Sequence, residues 1–502
     1  MVPGGFSRTR EDRTMAPRAA RRGVRVVVVL VLGVVVFVTL LVVAGVPLPQ
    51  IRAGLCGTLG TVVPLDQVLP ACGGPAQASV ALTAGRAATD RRALREALGH
   101  YRVATAAAPE LVRAHVARGD VAEMLGEYDE ALVAFQRAAA IEPSEDTSLR
   151  IGAAADRLGR VDLAVQTLEG AYGPWRRHAG AGARAAATNF ATCAPVSWAN
   201  PARLWHMCVN GSRDAYDFSF ETSRETVPRW VFRILLGEGR RDRALAFARD
   251  RGWLREDVEY CGRHALPIDH ETSALLAMLT QPDRADCALP TAVGVADDGG
   301  ARLGRMMLLD RIARSPQAET RERAQYYLRY RLPDHDVPRL AEALNATGLR
   351  LQHVHDAPDE ALVVFQKAIE ADPRFSWPHY NIGRIYMAKA HYEQARVWLE
   401  RALAVNPDHW RALYNYGVTT ANLKRWPEAL SAYRKALAIS PTDARLHANV
   451  GWTLIELGQQ GEADRELQIA VRLDPSLQAE RSYLNSRYGR DARSGPTPSS
   501  AR

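Results

Sequence analysis

Three groups of residues have the types and spacing to do chemistry. Asp214, Asp217, Glu221 and Glu225 recur at helical intervals, which puts their carboxylates on one helix face. Two such carboxylates can serve as general acid and base on a glycosidic bond, and the same four can equally form a solvated acidic face. Cys261-Gly-Arg-His264, with His270 and Cys287 downstream, offers zinc-ligand types. The spacing fits no standard zinc pattern, and a disulfide would use the same cysteines. His353-x-His355 beside Asp356 reads as a polar helix end. The motifs G-x-S-x-G, H-E-x-x-H and G-x-x-x-x-G-K-[ST] do not occur. The expectation is a protein that acts by binding, with no catalytic residue, no metal and no cofactor. Asn210-Gly-Ser212 and Asn345-Ala-Thr347 form glycosylation sequons, relevant only in a host that glycosylates.

What would position these groups is set by the rest of the chain. Its 502 residues are 47% hydrophobic and 24% charged, an ordinary globular composition. The net charge of +8 is unevenly placed. Arg8, Arg10, Arg13, Arg18, Arg21, Arg22 and Arg25 face only Glu11 and Asp12 in the first segment, so the body is weakly basic and a nucleic-acid partner is not expected.

Residues 26–46, VVVVLVLGVVVFVTLLVVAGV, contain no charge. A helix of that length spans about 31 Å, the thickness of a bilayer core. The arginines precede it and only Arg52 follows before Arg86, which predicts a cytoplasmic N-terminus and an extracytoplasmic body. A cleaved signal peptide is the alternative. Its apolar region would be shorter, and Val43-Ala44-Gly45 matches a cleavage site poorly. Cys56, Cys72, Cys193, Cys208, Cys261 and Cys287 all follow the span, as three close pairs. Local disulfides and reduced core cysteines are both open readings.

A 34-residue period runs through the C-terminal part. Pro373, Pro407, Pro441 and Pro475 obey it, as do Gly383, Gly417 and Gly451, and Ala361, Ala395, Ala429 and Ala463. Phe365, Leu399, Tyr433 and Leu467 follow those alanines by four, and Ala368, Ala402, Ala436 and Ala470 come three later. Pro109 and Pro143 keep the same interval near the N-terminus, with Gly85, Ala97 and Tyr101, then Gly119, Ala131 and Phe135. Gly152, Ala164 and Leu168 form a further set, one residue out of frame. The small residues would let two helices approach, the large residue would fill the gap to the next pair, and Pro would end the second helix.

This pattern resembles the tetratricopeptide repeat (TPR), whose signature residues recur in HYNIGRIYMAKAHYEQARVWLERALAVNP (379–407). The resemblance implies an all-α, right-handed α-solenoid of helix-turn-helix repeats, here behind one N-terminal transmembrane helix. The expected organisation is a basic cytoplasmic tail (1–25), the span (26–46), a juxtamembrane linker (47–77), a first array (78–178), a divergent helical region (179–341), a second array (342–477) and a capping helix with a disordered tail (478–502). Gly348 falls one position early, giving the second array an irregular first helix. In the divergent region, 236–252 keeps the spacing of a degenerate unit through Gly239 and Ala244, 308–330 has helical periodicity, and TAVGVADDGGA (291–301) reads as a loop. One continuous array and two arrays flanking an insert are both compatible with it.

The resemblance also implies that first helices line a groove holding a peptide segment. Asn381, Asn415 and Asn449 occupy one repeated position there, and their amides could pair with a peptide backbone. Tyr380, Arg384, Arg411, Tyr414, Arg445 and Trp452 are the neighbouring groove candidates, although Trp452 also suits the core. The carboxylate clamp of co-chaperone relatives is not expected, because Tyr380, Tyr414 and Ala448 occupy its positions. The expected function is a membrane-anchored scaffold or assembly factor with protein partners. A client-holding co-chaperone and a subunit of a glycan-handling enzyme are the alternatives.

Overall fold

A computed structural model describes residues 74–172, 220–254, 270–297 and 301–488. These residues form helices and no strand. The chain divides into two compact units, 1–114 and 115–502. The predicted span at 26–46, and all the cysteines except Cys287, lie outside the described residues. Among the described residues no helix is long and apolar enough to cross a membrane.

In the first unit, α1 (Gly74–Asp90) and α2 (Leu94–Ala107) make one pair. α3 (Val112–Met124) begins at the unit boundary. The second unit continues with α4 (Tyr128–Ile141), α5 (Glu145–Arg157) and α6 (Val161–Tyr172). Its far end holds α13 (Arg339–His353), α14 (Pro358–Ala371), α15 (Ser376–Ala388), α16 (Tyr392–Val405), α17 (Trp410–Asn422), α18 (Trp426–Ile439), α19 (Ala444–Glu456) and α20 (Gln460–Leu473). Each of these helices packs on the next.

One contact repeats in every pair. A Cβ added to Gly85, Gly119, Gly152, Gly348, Gly383, Gly417 or Gly451 would come within 2.3 to 2.8 Å of Tyr101, Phe135, Leu168, Phe365, Leu399, Tyr433 or Leu467. The large residue therefore sits on the glycine of its own pair, and Tyr433 also shares a core cluster with Leu446 and Val450 of the next pair. Gly348 is no irregularity of its helix. The turn after α13 has four residues where that after α15 has three, so Phe365 still meets Gly348. Turns inside the pairs close through a left-handed residue, at Gly126, Gly159, Gly239 and Gly458, and at Arg92, Asp356, Ala390 and Lys424. After α15, His391 N–H bonds the carbonyl of Tyr386, five residues back, at 2.9 Å. Second helices end where the residue before Pro turns extended, as at Asp372, Asn406 and Asp474.

The divergent region is helical where described. α7 (Phe220–Gly237) and α8 (Arg241–Asp250) form the degenerate pair. α9 (His270–Thr280), a 3-10 turn, α10 (Ala288–Asp297), α11 (Ala301–Arg314) and α12 (Ala318–Arg331) follow. The expected loop at 291–301 is thus largely helix. Burial of Leu289 and Ala292 in the core outweighs the low helix propensity of Gly294.

Distant segments of the second unit lock together through polar contacts. Tyr128 OH donates to the Ala343 carbonyl (2.9 Å) and lies 2.8 Å from Thr347 Oγ1. Arg339 pairs with Asp156 (2.7 Å) and Glu238 (2.8 Å), and the Trp230 indole donates to Asp156 (2.8 Å). The last described helix is α21 (Gln478–Tyr488), which packs on α20.

Candidate binding groove

The first helices α13, α15, α17 and α19 share one face, and on it lies a groove of about 490 Å³. Helical spacing builds each wall. Trp377, Tyr380, Asn381 and Arg384 fall at i, i+3, i+4 and i+7 along α15, so all four point the same way. Arg411, Tyr414 and Asn415 repeat the first three of these positions on α17, joined by Trp410, with His409 at the N-cap. Asn345 and Leu349 come from α13, and Asp443 and Arg445 from the start of α19. The remaining wall is Tyr330 and Arg331, from the last turn of α12.

Seven of the nine residues expected from sequence line this groove: Tyr380, Asn381, Arg384, Arg411, Tyr414, Asn415 and Arg445. The asparagines are already engaged. Asn381, 4% exposed, donates through Nδ2 to Asn345 Oδ1 at 2.9 Å, and Asn415 donates to the Tyr380 hydroxyl at 3.3 Å. Asn449 lies outside the groove. Trp452 is outside as well, since its indole donates to Glu480 (2.9 Å) and its ring meets Tyr483 of α21 edge-on. Asn345, at 1% exposure, is buried beneath Asn381, so its sequon is closed to modification in the folded chain.

The groove is cationic. Arg331, Arg384, Arg411 and Arg445 line it against one carboxylate, Asp443. Asp443 Oδ1 already accepts from the backbone N–H of Arg445 (2.9 Å) and Leu446 (3.2 Å), capping α19. Trp410 carries the Arg331 guanidinium at 4.3 Å and that of Arg411 at 5.5 Å from its ring centroid. The floor is His409, 5% exposed and 5.0 Å from the Tyr380 ring. Burial, with Arg411 nearby, drives its pKa down to about 3, so the imidazole is neutral. Its Nδ1 accepts from Ala412 N–H, which places the proton on Nε2. That Nε2 has no hydrogen-bond partner, and neither has the buried Nε of Arg331.

Tetratricopeptide-repeat family models match residues 380–444, 432–465 and 112–145. The chain carries tetratricopeptide repeats. Most of the groove lining falls within the 380–444 and 432–465 matches, while Asn345, Leu349, Trp377 and the α12 residues lie outside any match. Among solved structures, MamA (residues 41 to the end) from Desulfovibrio magneticus RS-1 is 23% identical, covering 30% of this chain and 89% of that chain with a TM-score of 0.29. YrrB, described as a TPR protein with an unusual peptide-binding site, is 18% identical, covering 42% and 96%, with a TM-score of 0.27. No curated protein matches the chain.

Sequence reasoning missed Trp377, His409 and Trp410, and the whole contribution of α12. The run Ala-Gln-Tyr-Tyr-Leu-Arg-Tyr-Arg (324–331) is dense in Tyr and Arg, the types that dominate binding hot spots, and was the available signal. Of the chemical candidates, Asp214, Asp217, Cys261 and His264 lie outside the described residues, and Glu221 and Glu225 fall on α7. Among the described residues no three His, Cys, Asp or Glu residues are grouped to hold a metal. His353 ends α13, and Asp356 turns the chain with φ 51°.

Proposed function

We propose that this protein is a membrane-anchored scaffold that holds an extended segment of a partner protein in the groove of its C-terminal TPR units. The observation that carries the reading is the groove itself: aromatic, guanidinium and amide groups from α15 and α17 converge on one face with space left between them. Trp, Tyr and Arg are enriched among the few residues that dominate the energy of protein interfaces. The apolar stretch at 26–46 and the arginines before it support anchoring, with the repeats outside the cytoplasm.

The full chain, tagged and extracted from its membrane, is the bait for the test, beside a Tyr380→Ala bait of equal stability. One or a few proteins retained by the first and lost by the second are expected. Equal retention by both would remove the groove from the function. A membrane-impermeant thiol reagent should label Cys56 in intact cells; a failure to label it until the cells are opened would reverse the orientation.

A further inference from the structure

The groove is not made by the repeats alone. α12 belongs to the divergent region, yet its final turns lie against the second array. Tyr326 OH donates to the Ile439 carbonyl at 3.1 Å. Arg329 donates through Nε and Nη2 to Asp408, both at 3.2 Å. Tyr326 and Tyr330 pack on the core built around Leu413, Tyr433 and Val450. These contacts hold Arg331 over Trp410, opposite the repeat helices.

The resulting site has an unmet chemical demand. Beside Arg411, three guanidinium groups line it, those of Arg331, Arg384 and Arg445, and the one carboxylate caps a helix. Arg331, Arg384 and Arg445 have no carboxylate within ion-pair distance among the described residues. Two buried donors, His409 Nε2–H and Arg331 Nε–H, have no acceptor. A buried donor without an acceptor carries the full desolvation cost, so both side chains hold their positive or donor character beside the groove without compensation from the protein. Lys or Arg on a ligand would be repelled, and an apolar segment would leave the arginines of the groove without counter-charge.

We infer that the groove is a composite site for an acidic polypeptide segment, in which α12 supplies one wall and the TPR helices the other. This rests on the peptide-groove reading above and specifies its partner. Carboxylates of the segment take charge-assisted hydrogen bonds from the arginines. Its path runs between α12 and α15–α17, so affinity depends on a residue that no repeat contains.

The test uses the full chain and fluorescence anisotropy of a labelled peptide alternating Glu and Ser, with Gln and Lys counterparts. The Glu peptide is expected to bind at least about tenfold tighter than the Gln peptide, and to weaken as salt rises. Arg384→Gln with Arg445→Gln, and separately Arg331→Gln, are each expected to lower its affinity about tenfold without moving the melting temperature. If Glu and Gln peptides bind alike and Tyr380→Ala abolishes both, charge selection is wrong while the peptide groove stands. Full affinity in Arg331→Gln would remove α12 from the site. A polynucleotide that displaces the Glu peptide at equal charge would overturn the polypeptide assignment. Absence of binding by all three peptides would overturn the inference and weaken the groove reading with it, and the Tyr380→Ala bait then decides the latter.

Discussion

Ala390 occupies a left-handed turn position, with φ 57°, that Gly126, Gly159, Gly239 and Gly458 fill in other pairs. A Cβ in that conformation costs about 1–2 kcal/mol, so Ala390→Gly should stabilise the fold by about 1 kcal/mol in urea denaturation. Glu342 makes a second residue-scale prediction. Burial pushes its carboxyl up to about 7, opposed by the Arg302 backbone N–H and by Arg339. The folded chain then holds a proton that the unfolded chain releases, so this group's contribution to stability falls as pH rises from about 5 through 7. Glu342→Gln should remove that fall. A pH–stability profile unchanged by the substitution would show that Glu342 is ionised throughout. Neither residue was distinguished by type in the sequence: position in a turn and depth in a core decide both effects.

At the scale of elements, legibility followed repetition. The pairs could be read because Gly417, Ala429 and Tyr433 recur with their partners at 34-residue intervals, and a recurring contact leaves a recurring mark. α12 contacts the array once, so Tyr326 and Arg329 leave no period to detect. The same holds for Trp452, whose partner Glu480 lies in the terminal helix. The amide ladder was visible as a spacing, but its occupancy by Asn345 and Tyr380 was not, because these partners come from neighbouring pairs. If α12 is held mainly by its two tyrosines, Tyr326→Ala with Tyr330→Ala should release it. Amide exchange across 318–331 should then accelerate at least about tenfold, while α18 and α20 keep their protection. Acceleration spread evenly over α17–α20 would mean that α12 is part of the array's own core.

Across the second unit, Arg339 ties three separate stretches of chain. It is largely buried between Asp156 and Glu238, so Arg339→Ala leaves Asp156 without its guanidinium partner and Glu238 with Arg302 alone. The expected cost is about 3 kcal/mol, and urea unfolding should separate into an early and a late phase as the repeats at 115–172 uncouple from those at 339–473. A single transition shifted by less than about 0.5 kcal/mol would show that apolar packing alone joins them. Helix pairs of this kind rely on neighbours in sequence, and most of this chain does too. Tyr128 does not: its hydroxyl is met by Thr347, 219 residues later. Chains are synthesised at about 5–20 residues per second, so roughly 10 to 40 s separate the two on the ribosome. Throughout that interval the Tyr128 phenol lacks both of its partners, the Ala343 carbonyl and the Thr347 hydroxyl. The repeat that carries Tyr128 must therefore wait, half-finished, for a part of the chain made much later, and slower translation between the two would lengthen its need for a chaperone.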